Sequence, residues 1–141
     1  MAVFTIDLFD QYQDCYGQIA ADDLLRRVTE RLHGTLRKTD SLYRSGDAEV
    51  LALLCETRLP GARRFAERTL AVVEGVQIPH CDSPRGTITL CCGVAAARPE
   101  EQLGSSFVSL LEHADHALQE ARSAGGARVG VAADPSREGA G

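Results

Sequence analysis

The 141-residue chain has no uncharged apolar run approaching about 18 residues, the length that a membrane-spanning helix needs. No basic stretch leads into an apolar one after Met1, so no secretory signal is read there. A basic block is missing too. The 15 cations, 14 Arg and the single Lys38, are scattered, and the net charge is −5. These absences argue against an anionic membrane or a nucleic-acid polymer as partner. They leave room for a small phosphate ligand held by two or three local arginines. No CxxC occurs among the five cysteines, Cys15, Cys55, Cys81, Cys91 and Cys92. With no signal and an odd count, free thiols in a reducing cytoplasm are expected. A zinc site at His80-Cys81 would need further ligands from elsewhere in the fold.

What is present fits one globular domain: 44% apolar and 25% charged residues. Residues 2–9 alternate apolar and polar with β-branched and aromatic side chains and predict a strand. Residues 10–21 are polar with Gly17 and are expected to be a turn or irregular piece. Asp22 stands where a helix N-cap would, before Leu24, Leu25, Val28, Leu32 and Leu36 at helical spacing, so a helix over 22–37 is predicted. Residues 41–45 and 50–55 read as two strands around Gly46-Asp47. Pro60-Gly61 opens a second helix to about 74, and 76–81 with 86–95 reads as another strand pair. Residues 105–123 predict a third helix with Phe107, Leu110, Leu111, Ala114, Leu118 and Ala121 on its apolar stripe. A short strand over 127–131 follows, then a polar tail, 133–141, expected to be flexible. The order β-α-β-β-α-β-β-α-β predicts an α+β domain over 1–132, with a central, mostly antiparallel sheet and helices packed on it.

Three phrases in this order carry a resemblance. Ile6-Asp7-Leu8-Phe9, then Gly17 and Asp22, fits DxDxFKxxNDxxGHxxGD. Arg44-Ser45-Gly46-Asp47-Ala48-Glu49-Val50 fits RxGGDEF, and Ala114-Asp115-His116-Ala117-Leu118 with Ala121-Arg122 and Gly125 fits ADxALYxAKxxGRN. Gly93-Val94-Ala95 fits SxGxA, with Cys91 at the Ser position. Over about residues 3–131 the chain resembles the GGDEF domain of bacterial diguanylate cyclases, which condense two GTP into cyclic di-GMP. The resemblance implies a nucleotide-cyclase-like fold. The sequence does not include the stretch that normally precedes the first strand, with its DxLTxLxNR segment, which is expected either of a naturally short domain or of a part of a longer protein.

The resemblance also implies a catalytic site, and the departures fall on it. In active members two Mg²⁺ are held by the first Asp of DxD, a neighbouring carbonyl and acidic hairpin residues. Here those positions are Thr5, the carbonyl of Ile6, Ala48 and Glu49. One carboxylate and a carbonyl are a poor set for two hard cations, so no Mg²⁺ cofactor is expected. Asp47 replaces the second signature glycine and Asp10 the family Lys, adding negative charge near the phosphates. Gln13 stands at the guanine-reading Asn, while Asp22, at the other guanine contact, is kept. Thr5, Ile6, Gln13, Asp22, Gly46, Asp47, Ala48 and Glu49 therefore read as a vestigial active site, with no catalytic residue and no enzyme activity.

One functional motif survives. Arg37-Lys38-Thr39-Asp40 is RxxD and ends four residues before Arg44, the family's offset for the inhibitory site that binds cyclic di-GMP. Arg offers a planar fork to phosphate oxygens and the guanine Hoogsteen edge, and Asp can accept from guanine N–H groups. The plain alternative is an exposed Arg-Asp pair closing the helix-to-strand turn. The family's second inhibitory-site arginine falls near Leu70, so Arg64 or Arg68 would have to substitute. His113 and His116, three apart on the third helix, read as solvated rather than metal-binding. The expectation is a cytoplasmic cyclic di-GMP receptor or regulatory module acting on a protein partner, either a second copy or another signalling domain. Its rivals are a nucleotide-independent dimerisation or docking module and a residual cyclase.

Overall fold

A computed structural model describes residues 1–44, 46, 48–55, 57–96 and 103–132, with side chains from 107 onward in the last stretch. Its elements are β1 (Ala2–Ile6), α1 (Phe9–Tyr16), α2 (Gln18–Gly34), β2 (Ser41–Arg44), β3 (Glu49–Leu53), α3 (Leu59–Val76), β4 (Leu90–Val94), α4 (Leu103–Ser123) and β5 (Val129–Val131). The strands form one sheet in the order β2-β3-β1-β4-β5. Three of its four pairings are antiparallel, and only β4 with β5 is parallel, joined through α4. The α+β sheet expected from the sequence is therefore present.

Strand alternation sorts the apolar side chains into two layers. Phe4, Ile6, Val50, Cys92 and Val94 face Leu24, Leu25 and Val28 of α2 and Phe65, Leu70 and Val73 of α3. Val3, Leu51 and Cys91 face Ala114, Leu118 and Ala121 of α4. The α4 layer is thin because glycine faces it. A Cβ at Gly93 would lie 2.1 Å from the Ala114 carbonyl oxygen, and one at Gly130 equally close to that of Ala117. The small residues on α4 thus set how near the helix lies to the sheet.

Several boundaries differ from the sequence expectation. The first strand stops at Ile6, and 9–16 is helical rather than irregular. Phe9 and Tyr12, three apart, bury one face of α1, and Leu8 turns the chain into it with φ 54°. Gly17 at φ 90° separates α1 from α2, so α2 starts at Gln18 and Asp22 lies inside it instead of capping it. The helix ends at Gly34, short of Arg37. Where a strand pair over 76–81 and 86–95 is predicted, α3 continues to Val76, a single Pro79–Thr87 bridge closes a loop, and β4 begins at Leu90. The cysteine expectation is also corrected: Cys15 and Cys81 are disulfide-bonded, with Cα atoms 6.8 Å apart, leaving Cys55, Cys91 and Cys92 free. Nothing in the spacing of Cys15 and Cys81 signals that the end of α1 meets the loop after α3. The tail, 133–141, and Asp47 lie outside the described residues.

Candidate functional site

The register of the central strands brings Thr5 beside Glu49 and Cys91 at one sheet end. Thr5 pairs with Glu49 on one side and with Cys91 on the other. Its hydroxyl donates to the Ala48 carbonyl at 3.2 Å, and the Ile6 N–H donates to the same oxygen at 3.3 Å. The first DxD position is thus spent on fastening the hairpin. Ala48 packs against the core, and Gly46 lies over Glu49, where an added Cβ would sit 3.5 Å from Glu49 Oε2. Burial pushes the Glu49 carboxyl above its ordinary pKa, Asp115 adds to the rise, and Arg122 opposes it. Burial likewise pushes the Cys91 thiol far up, with Asp7 adding to the rise.

Asp7 has a structural assignment. It accepts from Thr89 Oγ1 at 2.7 Å and the Ala127 N–H at 2.8 Å, tying the end of β1 to the approach to β4 and to the α4–β5 turn. A Cβ at Gly126 would lie 2.6 Å from its carboxylate, so the turn needs glycine there. Asp10 is exposed in the first turn of α1, which has no side-chain cap. A negative charge there suits the helix dipole.

Gln13 and Asp22 are linked through a third side chain. Gln18 lies between them: Gln13 Nε2 donates to Gln18 Oε1 at 3.1 Å, and Gln18 Nε2 donates to Asp22 Oδ1 at 2.8 Å. The amide of Gln18 thus engages the side chains of both Gln13 and Asp22. Sequence reasoning passed over Gln18, although its place directly after Gly17 was visible.

The RxxD turn is tightly tied. Asp40 accepts from Arg37 N (3.0 Å), Arg37 Nε (3.1 Å), Arg37 Nη2 (3.2 Å) and Cys55 N (3.1 Å). Arg37 Nη2 also donates to the Cys55 carbonyl at 2.7 Å and to Thr57 Oγ1 at 2.8 Å. Burial favours the neutral Asp40 carboxyl, but the Arg37 guanidinium and the Arg37 and Cys55 N–H groups outweigh it and hold its pKa below the ordinary value. The two side chains differ sharply in exposure, 60% for Arg37 against 2% for Asp40. The exposed pair expected from the sequence is therefore half right: Asp40 is the buried keystone of the turn. Cys55 and Thr57, eighteen and twenty residues beyond Arg37, carried no signal in the sequence.

Leu70 is buried in the core, so it offers nothing to a ligand. Arg68 lies 5.9 Å from the Phe65 ring centroid. A Cβ built on Gly61 would sit 3.2 Å from Thr57 Cγ2 and 4.0 Å from Arg64 Nη2, so both side chains flank Gly61 near the start of α3. His116 pairs with Glu120 at 3.4 Å. Among the described residues no group of three or more His, Cys, Asp or Glu is placed to hold a metal, and no helix is long and apolar enough to cross a membrane.

The comparisons with known proteins agree with this architecture. The family described as "Diguanylate cyclase, GGDEF domain" matches residues 1–128. Diguanylate cyclase DgcP of Pseudomonas aeruginosa is 33% identical over 132 residues, 94% of this chain but 19% of that protein. Response regulator PleD of Caulobacter vibrioides is 32% identical over 130 residues, 91% of this chain and 28% of its own length. The GGDEF domain of DgcB from Caulobacter crescentus, solved in complex with c-di-GMP, superposes with a TM-score of 0.81 at 24% identity, covering 92% of this chain and 75% of that one. The chain therefore belongs to the GGDEF domain family of diguanylate cyclases. It spans only a minor part of these curated relatives.

Proposed function

We propose that this chain is a catalytically inactive GGDEF domain, a cyclic di-GMP receptor whose ligand docks at the α2–β2 turn through Arg37 and Asp40. The observation that carries this reading is the contrast in exposure at that turn. Asp40, closed in by four donors, holds the Arg37 fork at the surface beside Thr57. Arg64, which flanks Gly61 together with Thr57, is the second cation this reading assigns in place of the apolar Leu70. Two guanidinium groups suit a ligand with two phosphodiesters and two guanines. Asp40 fixes Arg37 first and reads the base only if its carboxylate turns outward.

The same reading denies turnover. The residues present do not fit two Mg²⁺: Thr5 and Ala48 contribute no charge, and Glu49 is a half-buried carboxyl whose pKa is raised. Asp10, and Asp47 outside the described residues, add charge that opposes a triphosphate. The chain acts in the cytoplasm by passing ligand occupancy to a partner, a second copy or another signalling domain. One observation favours the rival docking module: the Asp40 carboxylate is already saturated by protein donors. Equilibrium dialysis with cyclic di-GMP, beside chromatography of GTP and Mg²⁺ incubations, separates the readings. Binding without product supports the receptor, neither leaves the docking module, and multiple-turnover product restores the cyclase.

A further inference from the structure

We infer that the Cys15–Cys81 bond is a redox latch that fastens α1 to the loop over 77–88. This inference does not rest on the proposed ligand. Helix α1 has only eight residues and two buried side chains, Phe9 and Tyr12, so its own packing holds it weakly. The loop, by contrast, is braced from within. Ile88 N donates to Ile78 O at 2.8 Å, His80 N to Gly86 O at 3.0 Å and Gly86 N to Ser83 O at 2.9 Å. It therefore presents His80 and Cys81 on a firm base.

Two attachments join it to α1. At the helix start, His80, 3% exposed, donates from Nε2 to the Leu8 carbonyl at 2.9 Å, while its Nδ1 accepts the Asp82 N–H at 3.1 Å. Its ring also meets Tyr12 and Tyr16 edge-on, with centroids 5.3 Å and 6.5 Å away. At the helix end the disulfide is the covalent attachment, beside the Tyr16–His80 ring contact, and it joins two exposed residues that solvent thiols can reach. Opening it leaves the last turn of α1 held by Tyr16 and by the hinge at Gly17, which leads directly into Gln18. The base-reading edge of the domain then loosens, while the RxxD turn is untouched.

The exchange is balanced with a low-molecular-weight disulfide such as oxidised glutathione. One cysteine thiolate attacks a glutathione sulfur and expels one glutathione thiolate. The second cysteine thiolate then attacks the mixed disulfide at the protein sulfur and expels the other. The protein loses two electrons, glutathione disulfide gains them, and the two protein thiol protons end on two glutathione thiols.

The test uses the whole chain equilibrated with excess oxidised or excess reduced glutathione, then denatured, alkylated and mapped by mass spectrometry. In the oxidised sample Cys55, Cys91 and Cys92 should be labelled and Cys15 and Cys81 protected; in the reduced sample all five cysteines of the chain should label. Hydrogen exchange on the undenatured samples should show amide protection over 9–16 falling about tenfold or more on reduction. Cys15→Ser and Cys81→Ser should each exchange over 9–16 like the reduced protein in either buffer. Labelling of Cys15 and Cys81 after oxidation overturns the bond. Protection over 9–16 that is unchanged by reduction overturns the latch while leaving the bond.

Discussion

The sheet end around Thr5 and the turn around Arg37 were both inherited from a nucleotide-handling fold, yet they hold their polar groups in opposite ways. At the sheet end, the carboxyl that remains, Glu49, is pushed by burial toward its neutral form, and the hydroxyl of Thr5 is spent on a backbone carbonyl. At the turn, another enclosed carboxyl, Asp40, stays charged because four donors converge on it. Burial alone therefore does not decide the fate of an acid. What decides it is whether the local chain supplies N–H groups and a cation to replace water.

The comparison breaks most directly at Asp40. Asp40→Ala removes the acceptor of two backbone N–H groups and a guanidinium, and should lower unfolding stability by about 2–3 kcal/mol, read from urea melts. An exposed surface pair would cost about 0.5 kcal/mol instead. Arg37→Ala should weaken cyclic di-GMP binding by about ten- to a hundredfold, corresponding to about 1.5–3 kcal/mol for a charge-assisted contact. Calorimetric titration checks it, and Arg64→Ala should reduce affinity less, by about tenfold. Refilling the other region should have a smaller effect. Thr5→Asp with Ala48→Asp should cost about 1 kcal/mol, because new carboxylates would face the half-buried Glu49 and break the Thr5 tie to Ala48. Chromatography should still show no cyclic di-GMP from GTP and Mg²⁺.

The smallest effect is the pH dependence, and its two parts have opposite signs. Asp40 has a folded pKa below its unfolded one. Its stabilisation is complete above about pH 4, the unfolded value, and is lost as pH falls through the folded value. Glu49 has a folded pKa above its unfolded one. The fold then holds more protons than the unfolded chain, so Glu49 takes stability away as pH rises from about 4.3, its unfolded value, through its folded pKa. Melts across pH 3–7 should lose the acid-side fall in Asp40→Asn and the opposing slope in Glu49→Gln.

Much of this was legible in the chain. The long helices announced themselves by Leu and Ala at helical spacing, and the β2–β3 hairpin by apolar strands around Gly46. The irregular reading of 10–21 failed because α1 rests on two buried side chains, too few to show a period among polar neighbours. The strand expected over 76–81 failed because α3 runs past Gly75, and the loop behind it is held by cross-loop bonds rather than by a ladder. At the site, Thr5 and Ala48 could be read directly, and the resemblance marks them as departures from the family pattern. The partners of Arg37 could not, because Cys55 and Thr57 reach it only through the pairing of β2 with β3. The meeting of Cys15 and Cys81 was equally hidden, since 66 residues separate them.

Isothermal calorimetry of the purified chain with cyclic di-GMP, run beside Arg37→Ala and beside GTP with Mg²⁺, tests the central claim most directly. Cyclic di-GMP should give a saturable heat that is strongly weakened in Arg37→Ala, and GTP should give no heat of turnover. Absence of a cyclic di-GMP heat at micromolar protein, an undiminished heat in Arg37→Ala, or steady heat production from GTP would contradict that claim.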